Sequence, residues 1–168
     1  MTEQTKAVFE NPQLLREKLL AYLQTPEKVE IYAQAAEKFF NTGGRISLKF
    51  TPTWSWWGFI GTIWFLFYRK LNMHGLGFFV ALVLTSFVPL LPAIVTIAIP
   101  IAGKYFVIKR FEQALDMNND MIFVQMSGVA KWAIYVAIAL SVIGVIVSIA
   151  MFSFFGALMS DLNSVDAY

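Results

Sequence analysis

Residues 132 to 159 contain no charged side chain. As a helix this stretch is about 42 Å long, against a hydrocarbon core about 30 Å thick. It is long enough to cross a bilayer while tilted. The rest of the chain agrees. Of its 168 residues 58% are hydrophobic and 14% charged, with a mean hydropathy of +0.62, and a soluble domain of this size has too little interior to hide that much apolar surface. The apolar residues are also segregated: residues 1 to 50 read as soluble, residues 54 to 108 and 132 to 159 as lipid-facing. The expected class is an all-α integral membrane protein.

Charge distribution says more than the net charge of +2. All thirteen Lys and Arg lie at or before Lys131, and the tail "SDLNSVDAY" carries two aspartates. The opening "MTEQTKAVFENPQ" has no apolar h-region, so no cleavable signal peptide is expected. With no cysteine, disulfides, thiolate metal sites and cysteine nucleophiles are excluded.

Three dipeptides pair a capping residue with proline: Asn11-Pro12, Thr25-Pro26 and Thr51-Pro52. Asn and Thr accept hydrogen bonds from free N–H groups at a helix start, and Pro has none to satisfy. They predict helices over about Pro12 to Gln24, about Pro26 to Asn41, and from Pro52 onward. The first groups Leu15, Leu19, Tyr22 and Leu23; the second groups Val29, Tyr32, Ala33, Ala36, Phe39 and Phe40 and stops at Gly43-Gly44. "RISLKF" follows as a short extended connector. Two such helices bury too little to stand alone, so their apolar faces dock on the rest of the protein, the membrane surface, another copy or a partner.

"WSWWGFIGTIWFLFYRK" (54 to 70) is as apolar as a span but too short: Trp54 to Phe67 makes a helix of about 21 Å. Trp54, Trp57, Gly61, Trp64 and Tyr68 recur at steps of three and four, which predicts one aromatic stripe. Such rings favour the membrane–water boundary, and Arg69 and Lys70 then hold the end at a polar surface. In the next apolar stretch "VPLLP" sits near the middle, where proline breaks the helical ladder. It is either a kink in one span or the turn of a hairpin whose arms, Leu71 to Val88 and Pro92 to Lys109, would each measure about 27 Å. Pro89, Pro92 and Pro100 are the hairpin or kink residues. In the last span Ala133, Ala137, Ser141, Gly144 and Ser148 share one face, small enough for another helix to approach closely.

Two arrangements follow. In one, the tryptophan segment, the proline segment and the last helix each cross once, which leaves Arg69 and Lys70 outside. In the other the tryptophan segment stays at the interface and the proline segment is a hairpin, which puts all thirteen cations on the cytoplasmic side. The second is the expected one. Both place the N-terminus inside and the C-terminus outside or in the periplasm.

The order of the W-x-x-F segment, "IWFLFYRKLNMHGLG", an apolar stretch with central prolines, and "KYFVIKR" resembles a bacterial membrane family catalogued as domain-of-unknown-function family 2628. The likeness covers about Trp54 to Arg110, with "WFLFYRK" its distinctive part. This chain departs from the family pattern at Thr62, where proline often follows the glycine, and at Lys104, where asparagine is frequent. The resemblance implies a bacterial inner-membrane protein and brings no activity or catalytic residue.

Little chemistry is legible. His74 is the only histidine, so no multi-histidine metal site can form, and it reads as an interfacial residue. The apolar spans lack charges away from their ends, which argues against acid–base catalysis and against an ion route. Glu112, Asp116 and Asp120 fall at spacings of four, a solvated connector or a face that binds a cation or a basic partner. "NTGGRIS" lacks the Gly-Lys-Ser/Thr ending of a phosphate loop. No catalytic residue, cofactor, metal or nucleic-acid partner is expected.

The expected organisation is a cytoplasmic amphipathic segment (1 to 50), a membrane domain (51 to 160) and an acidic tail (161 to 168). The membrane domain divides into an interfacial helix (52 to 70), a hairpin or kinked span (71 to 109), a connector (110 to 130) and a multi-pass-completing helix (131 to 159). The expected role is a non-enzymatic accessory or scaffold subunit that packs against other membrane subunits or itself. The alternatives are an oligomeric channel or carrier, in which Thr85, Ser86 and Thr96 beside the prolines help expose carbonyls to an ion, and a sensor of anionic lipids. Lipid headgroups would meet Trp54, Trp57, Trp64, Tyr68, Arg69, Lys70, Lys104, Lys109 and Arg110.

Overall fold

A computed structural model of the chain describes the backbone of residues 1–165 and the side chains of residues 1–157. Every regular element among them is helical. The chain divides into two units, residues 1–130 and residues from 131 on.

The first unit begins with a helix that periodicity did not predict, α1 (Glu3–Glu10), started by the Thr2 hydroxyl accepting from the Thr5 amide. Asn11 ends it and starts α2 (Pro12–Leu23), its Oδ1 accepting from the Gln13 and Leu14 amides as the Asn-Pro pair requires. The Thr25-Pro26 start differs. Pro26–Lys28 is a single 3-10 turn, and α3 (Val29–Thr42) follows it. Thr25 caps nothing, because its hydroxyl accepts from Arg69 instead. Arg16 on α2 ties α3 down, 2.9 Å from both Glu30 and Glu37. Its hydrogen bond holds the Glu30 carboxyl below its usual pKa, and the carboxylates hold the guanidinium above its own.

Thr51-Pro52 starts no helix. Residues 47 to 55 lack regular structure, and the Thr53 and Ser55 amides donate to the Ile101 and Pro100 carbonyls of a later helix. Ser55 caps α4 (Trp56–Tyr68). This helix is broken at Thr62, whose φ of 44° and ψ of −125° are neither helical nor comfortable for a β-branched residue. The break puts the two halves out of phase, so the stripe expected from Trp54 to Tyr68 does not form as one face; Trp54 precedes the helix altogether.

Arg69 to Leu71 turn the chain into α5 (Asn72–Thr85), and α6 (Leu91–Asp116) follows after a turn over residues 86 to 90. α5 and α6 pack on each other. "VPLLP" is therefore a turn, not a kink: Leu90 takes the left-handed conformation and Pro92 sits in the first turn of α6. Pro100 lies inside α6. Thr85, Ser86 and Thr96 each donate to a carbonyl of their own turn, Thr96 to Pro92 at 2.8 Å and Thr85 to Ala81 at 2.7 Å, the ordinary use of hydroxyls in a helix.

α6 has two environments. Leu91, Ile94 and Ile97 are exposed, whereas Ile99, Val107, Ile108 and Phe111 are buried. The buried half is the post around which α1, α2, α3 and the short α7 (Asp120–Met126) assemble as a cap. Phe111 is its centre, with ring centroids 5.9 Å from Phe9, 5.2 Å from Tyr22 and 6.5 Å from Phe123. Residues 110 to 116, expected in a surface connector, are thus core helix.

The second unit is one helix, α8 (Trp132–Val165). Residues 160 to 165, expected after the last span, continue it; residues 166 to 168 of the expected acidic tail lie outside the described residues.

Candidate functional site

The feature that demands explanation is exposed apolar surface. On α8 every large apolar side chain from Trp132 to Phe155 is exposed. Ser141 and Ser148 turn their hydroxyls back onto the Ala137 and Gly144 carbonyls at 2.8 and 2.7 Å, so the helix presents almost no polar group. Within the expected packing face, Ala133 is buried, Ala137 half-buried, and Ser141, Gly144 and Ser148 exposed. A methyl group added at Gly144 would meet nothing within 4 Å. Isolated exposed apolar residues are normal in soluble proteins, but a continuous surface of this size is not.

The first unit carries a second apolar surface. Met73, Leu76, Phe79, Val83 and Leu84 of α5, Phe87 and Leu90 of the turn, and Ile94 and Ile97 of α6 are all exposed. α5 has 14 residues, about 21 Å of helix, not the 27 Å expected of each arm. The C-terminal half of α6 is committed to the cap. The hairpin that protrudes is thus shorter than a bilayer core of about 30 Å.

Between cap and hairpin lies an aromatic cluster. Trp54, Trp56 and Phe59 meet edge-on or tilted, with centroids 5.6 to 6.2 Å apart. Trp56 and Trp57 are 68% and 61% exposed, and the Lys28 ammonium of the cap sits 5.1 Å over the Trp57 ring. A methyl group at Gly58 would lie 3.0 Å from the Pro100 backbone, and one at Gly103 would lie 2.7 Å from the Phe65 ring. Both contacts fall within about one turn of α6, where α4 packs on it. Trp56, Phe59 and Lys28 were not among the residues singled out from sequence. Trp56 falls off the three-and-four spacing, and Lys28 is distant in sequence.

The cations divide sharply. Arg69 is 8% exposed and so is not placed to meet headgroups on a surface: it lies against the Tyr32 and Tyr68 rings, at 5.2 and 5.6 Å, with Thr25 accepting from its Nη atoms at 3.4 Å. Lys70 also turns inward, donating to the Gln125 carbonyl at 3.1 Å and to that of Ser127. Lys109 pairs with Glu112. Trp64, Tyr68, Lys104 and Arg110 are half-buried, and His74 is exposed with its ring 4.5 Å from Phe106.

The acids do not converge. Glu112 is buried near Lys109 and the Met1 amino group, Asp116 accepts from the Thr2 amide at 2.7 Å, and Asp120 is exposed. No group of three potential metal ligands occurs among the described residues. A shallow cleft of about 250 Å³ lies between α1, α6 and α7, lined among others by Thr5, Lys18, Asn119 and Asp120.

Length and composition give two helices able to cross a bilayer, α6 and the Trp132–Ala157 stretch of α8. No family model, curated protein or solved structure matches the chain.

Proposed function

We propose that the chain is a non-enzymatic accessory or scaffold subunit of a membrane complex, in the inner membrane of a bacterium. The bare apolar surface of α8 carries this reading, because water cannot solvate it without a large cost and lipid or apolar helices can. α8 spans the bilayer, the α5–α6 hairpin enters it and returns, and α4 lies at the interface. The aromatic cluster beside Lys28 supports that depth, since tryptophan favours the boundary between headgroups and acyl chains. The hairpin's 21 Å arm supports re-entry over crossing. The cap then stands on the cytoplasmic side, with the C-terminus outside.

Packing against other membrane helices uses the small side of α8, where Gly144 is open to close approach. Gly144→Leu adds bulk at a position where a β-carbon meets nothing within 4 Å. The expected result is a complex that falls apart when extracted in mild detergent, with unchanged folding and abundance of the subunit. A variant that co-purifies with its native-membrane neighbours as the wild type does, or a wild type that is always extracted as a lone monomer, contradicts the scaffold role. The hydroxyls near the prolines are occupied by their own helices, which gives the channel alternative no supporting geometry.

A further inference from the structure

The apolar hairpin has a depth that its own contacts fix. On α6 the exposed large apolar side chains are Leu91, Ile94 and Ile97, and the first charged residue is Lys104. Between them, at Pro100, the tryptophan segment joins the helix: the Thr53 and Ser55 amides donate to the Ile101 and Pro100 carbonyls at 3.3 and 3.0 Å. Trp54, between those two bonds, opens the cluster with Trp56 and Phe59. Two ammoniums of the cap reach the same segment, Lys38 donating to the Pro52 carbonyl at 3.1 Å and Lys28 standing over the Trp57 ring. Indole rings and cations so placed mark one level, that of the lipid headgroups.

From that level to the tip, residues 91 to 100, α6 rises about 14 Å. On α5, His74 in the first turn stacks on Phe106, which lies on the cap side of Pro100. The remainder of that helix, residues 76 to 85, measures about 15 Å. A hydrocarbon core is about 30 Å thick, so both arms end near its middle. The two helices and their exposed rings, Phe79 and Phe87, therefore fill part of one leaflet and leave the other untouched. α8 is long enough to pass through both leaflets and adds no such asymmetry.

We propose that the hairpin is a one-leaflet wedge, and that its partner is the stretched cytoplasmic leaflet of a curved membrane. Apolar volume inserted beneath the headgroups spreads them apart. That costs less where curvature has already opened the leaflet, which is why insertion of this kind is curvature-sensitive. The wedge rests on the re-entrant reading of α5 and α6 given above.

The full chain reconstituted in giant vesicles of phosphatidylcholine and phosphatidylglycerol provides the test. Glu17→Cys, exposed on α2 and the only cysteine present, takes an impermeant dye from outside, so only molecules with the cap outward are seen. Tubules are drawn from the vesicles, and the ratio of protein to lipid dye in the tubule is compared with that in the vesicle body. The ratio is expected to rise as the tubule narrows. The pair Phe79→Ala and Phe87→Ala should abolish most of the rise, whereas Phe152→Ala with Phe154→Ala, which takes the same volume from exposed rings of α8, should leave it. All four rings are exposed, so neither pair opens the core of the cap. A wild-type ratio that ignores tubule radius, or equal losses from the two pairs, overturns the wedge.

Depth separates that failure from failure of the re-entrant reading. A dye on Leu90→Cys should be quenched best by lipids labelled near their chain ends. That depth with a flat tubule ratio overturns the wedge alone. Quenching of the same dye by an aqueous reagent enclosed in the vesicle shows that the hairpin crosses, and overturns the re-entrant reading and the wedge together.

Discussion

Phe111→Ala is expected to destabilise the cap by about 3–5 kcal/mol, the range for removing a fully buried phenylalanine. Phe111 is completely buried, and its ring joins α1 through Phe9, α2 through Tyr22 and α7 through Phe123. Among the described residues no other ring bridges those three elements, so the cavity left behind cannot collapse without separating them. Hydrogen exchange of the full chain in micelles reads the effect locally: amides of α1, α2 and α7 should lose protection, while those of α8 keep theirs. Ile143→Ala, on the exposed face of α8, removes apolar atoms without leaving a cavity and should change cap protection little. Equal loss from both variants would mean that the cap is not organised on Phe111.

Gly43→Ala should be nearly as damaging, by about 2–3 kcal/mol, at the upper end of overpacking costs. Its φ of −82° suits any residue, so the demand for glycine is spatial. A β-carbon there would lie 1.8 Å from the Ser47 carbonyl oxygen, and a backbone atom cannot rotate aside as a side chain can. The turn would have to open, losing the Lys49 amide bond to Phe39 at 3.1 Å and the burial of Leu48. Gly44 is the contrast. It has free space but a φ of 67°, so Gly44→Ala carries only left-handed strain of about 1 kcal/mol. Thermal midpoints of the two variants should differ in that order, and a milder effect at Gly43 than at Gly44 would contradict the turn geometry.

The helices that sequence made legible are those written in local patterns. Asn11-Pro12 marks a helix start in two residues, and the apolar spacing of α3 names its buried face, Tyr32, Ala33, Ala36, Phe39 and Phe40 included. The charge-free stretch that became α8 needed only counting. α1 was missed because eight residues with two large apolar side chains carry too little periodicity, and its stability comes from Phe9 reaching Phe111 a hundred residues away. The break at Thr62 was hidden because a strained β-branched residue has no sequence signature; packing of α4 against Pro100 and Gly103 holds it there.

Arg69 shows the limit most clearly. Next to Lys70 at the end of an apolar run, it reads as an interfacial cation, and only the assembled cap brings Thr25 and Tyr32 around it. The same fold spends Thr25 on Arg69 and leaves the Pro26 turn uncapped. Local signals named the right residues there and the wrong partners.

Since the chain has no native cysteine, single cysteines at Asn72, at Leu90 and at position 164 can be tested one at a time with a membrane-impermeant thiol reagent. With α8 crossing and the hairpin returning, position 164 labels in intact cells, position 72 labels only after lysis, and position 90 labels in neither until detergent is added. Labelling of position 90 in intact cells would show that the hairpin crosses, and labelling of position 72 would show that α4 does; either result contradicts a re-entrant hairpin beneath a cytoplasmic cap.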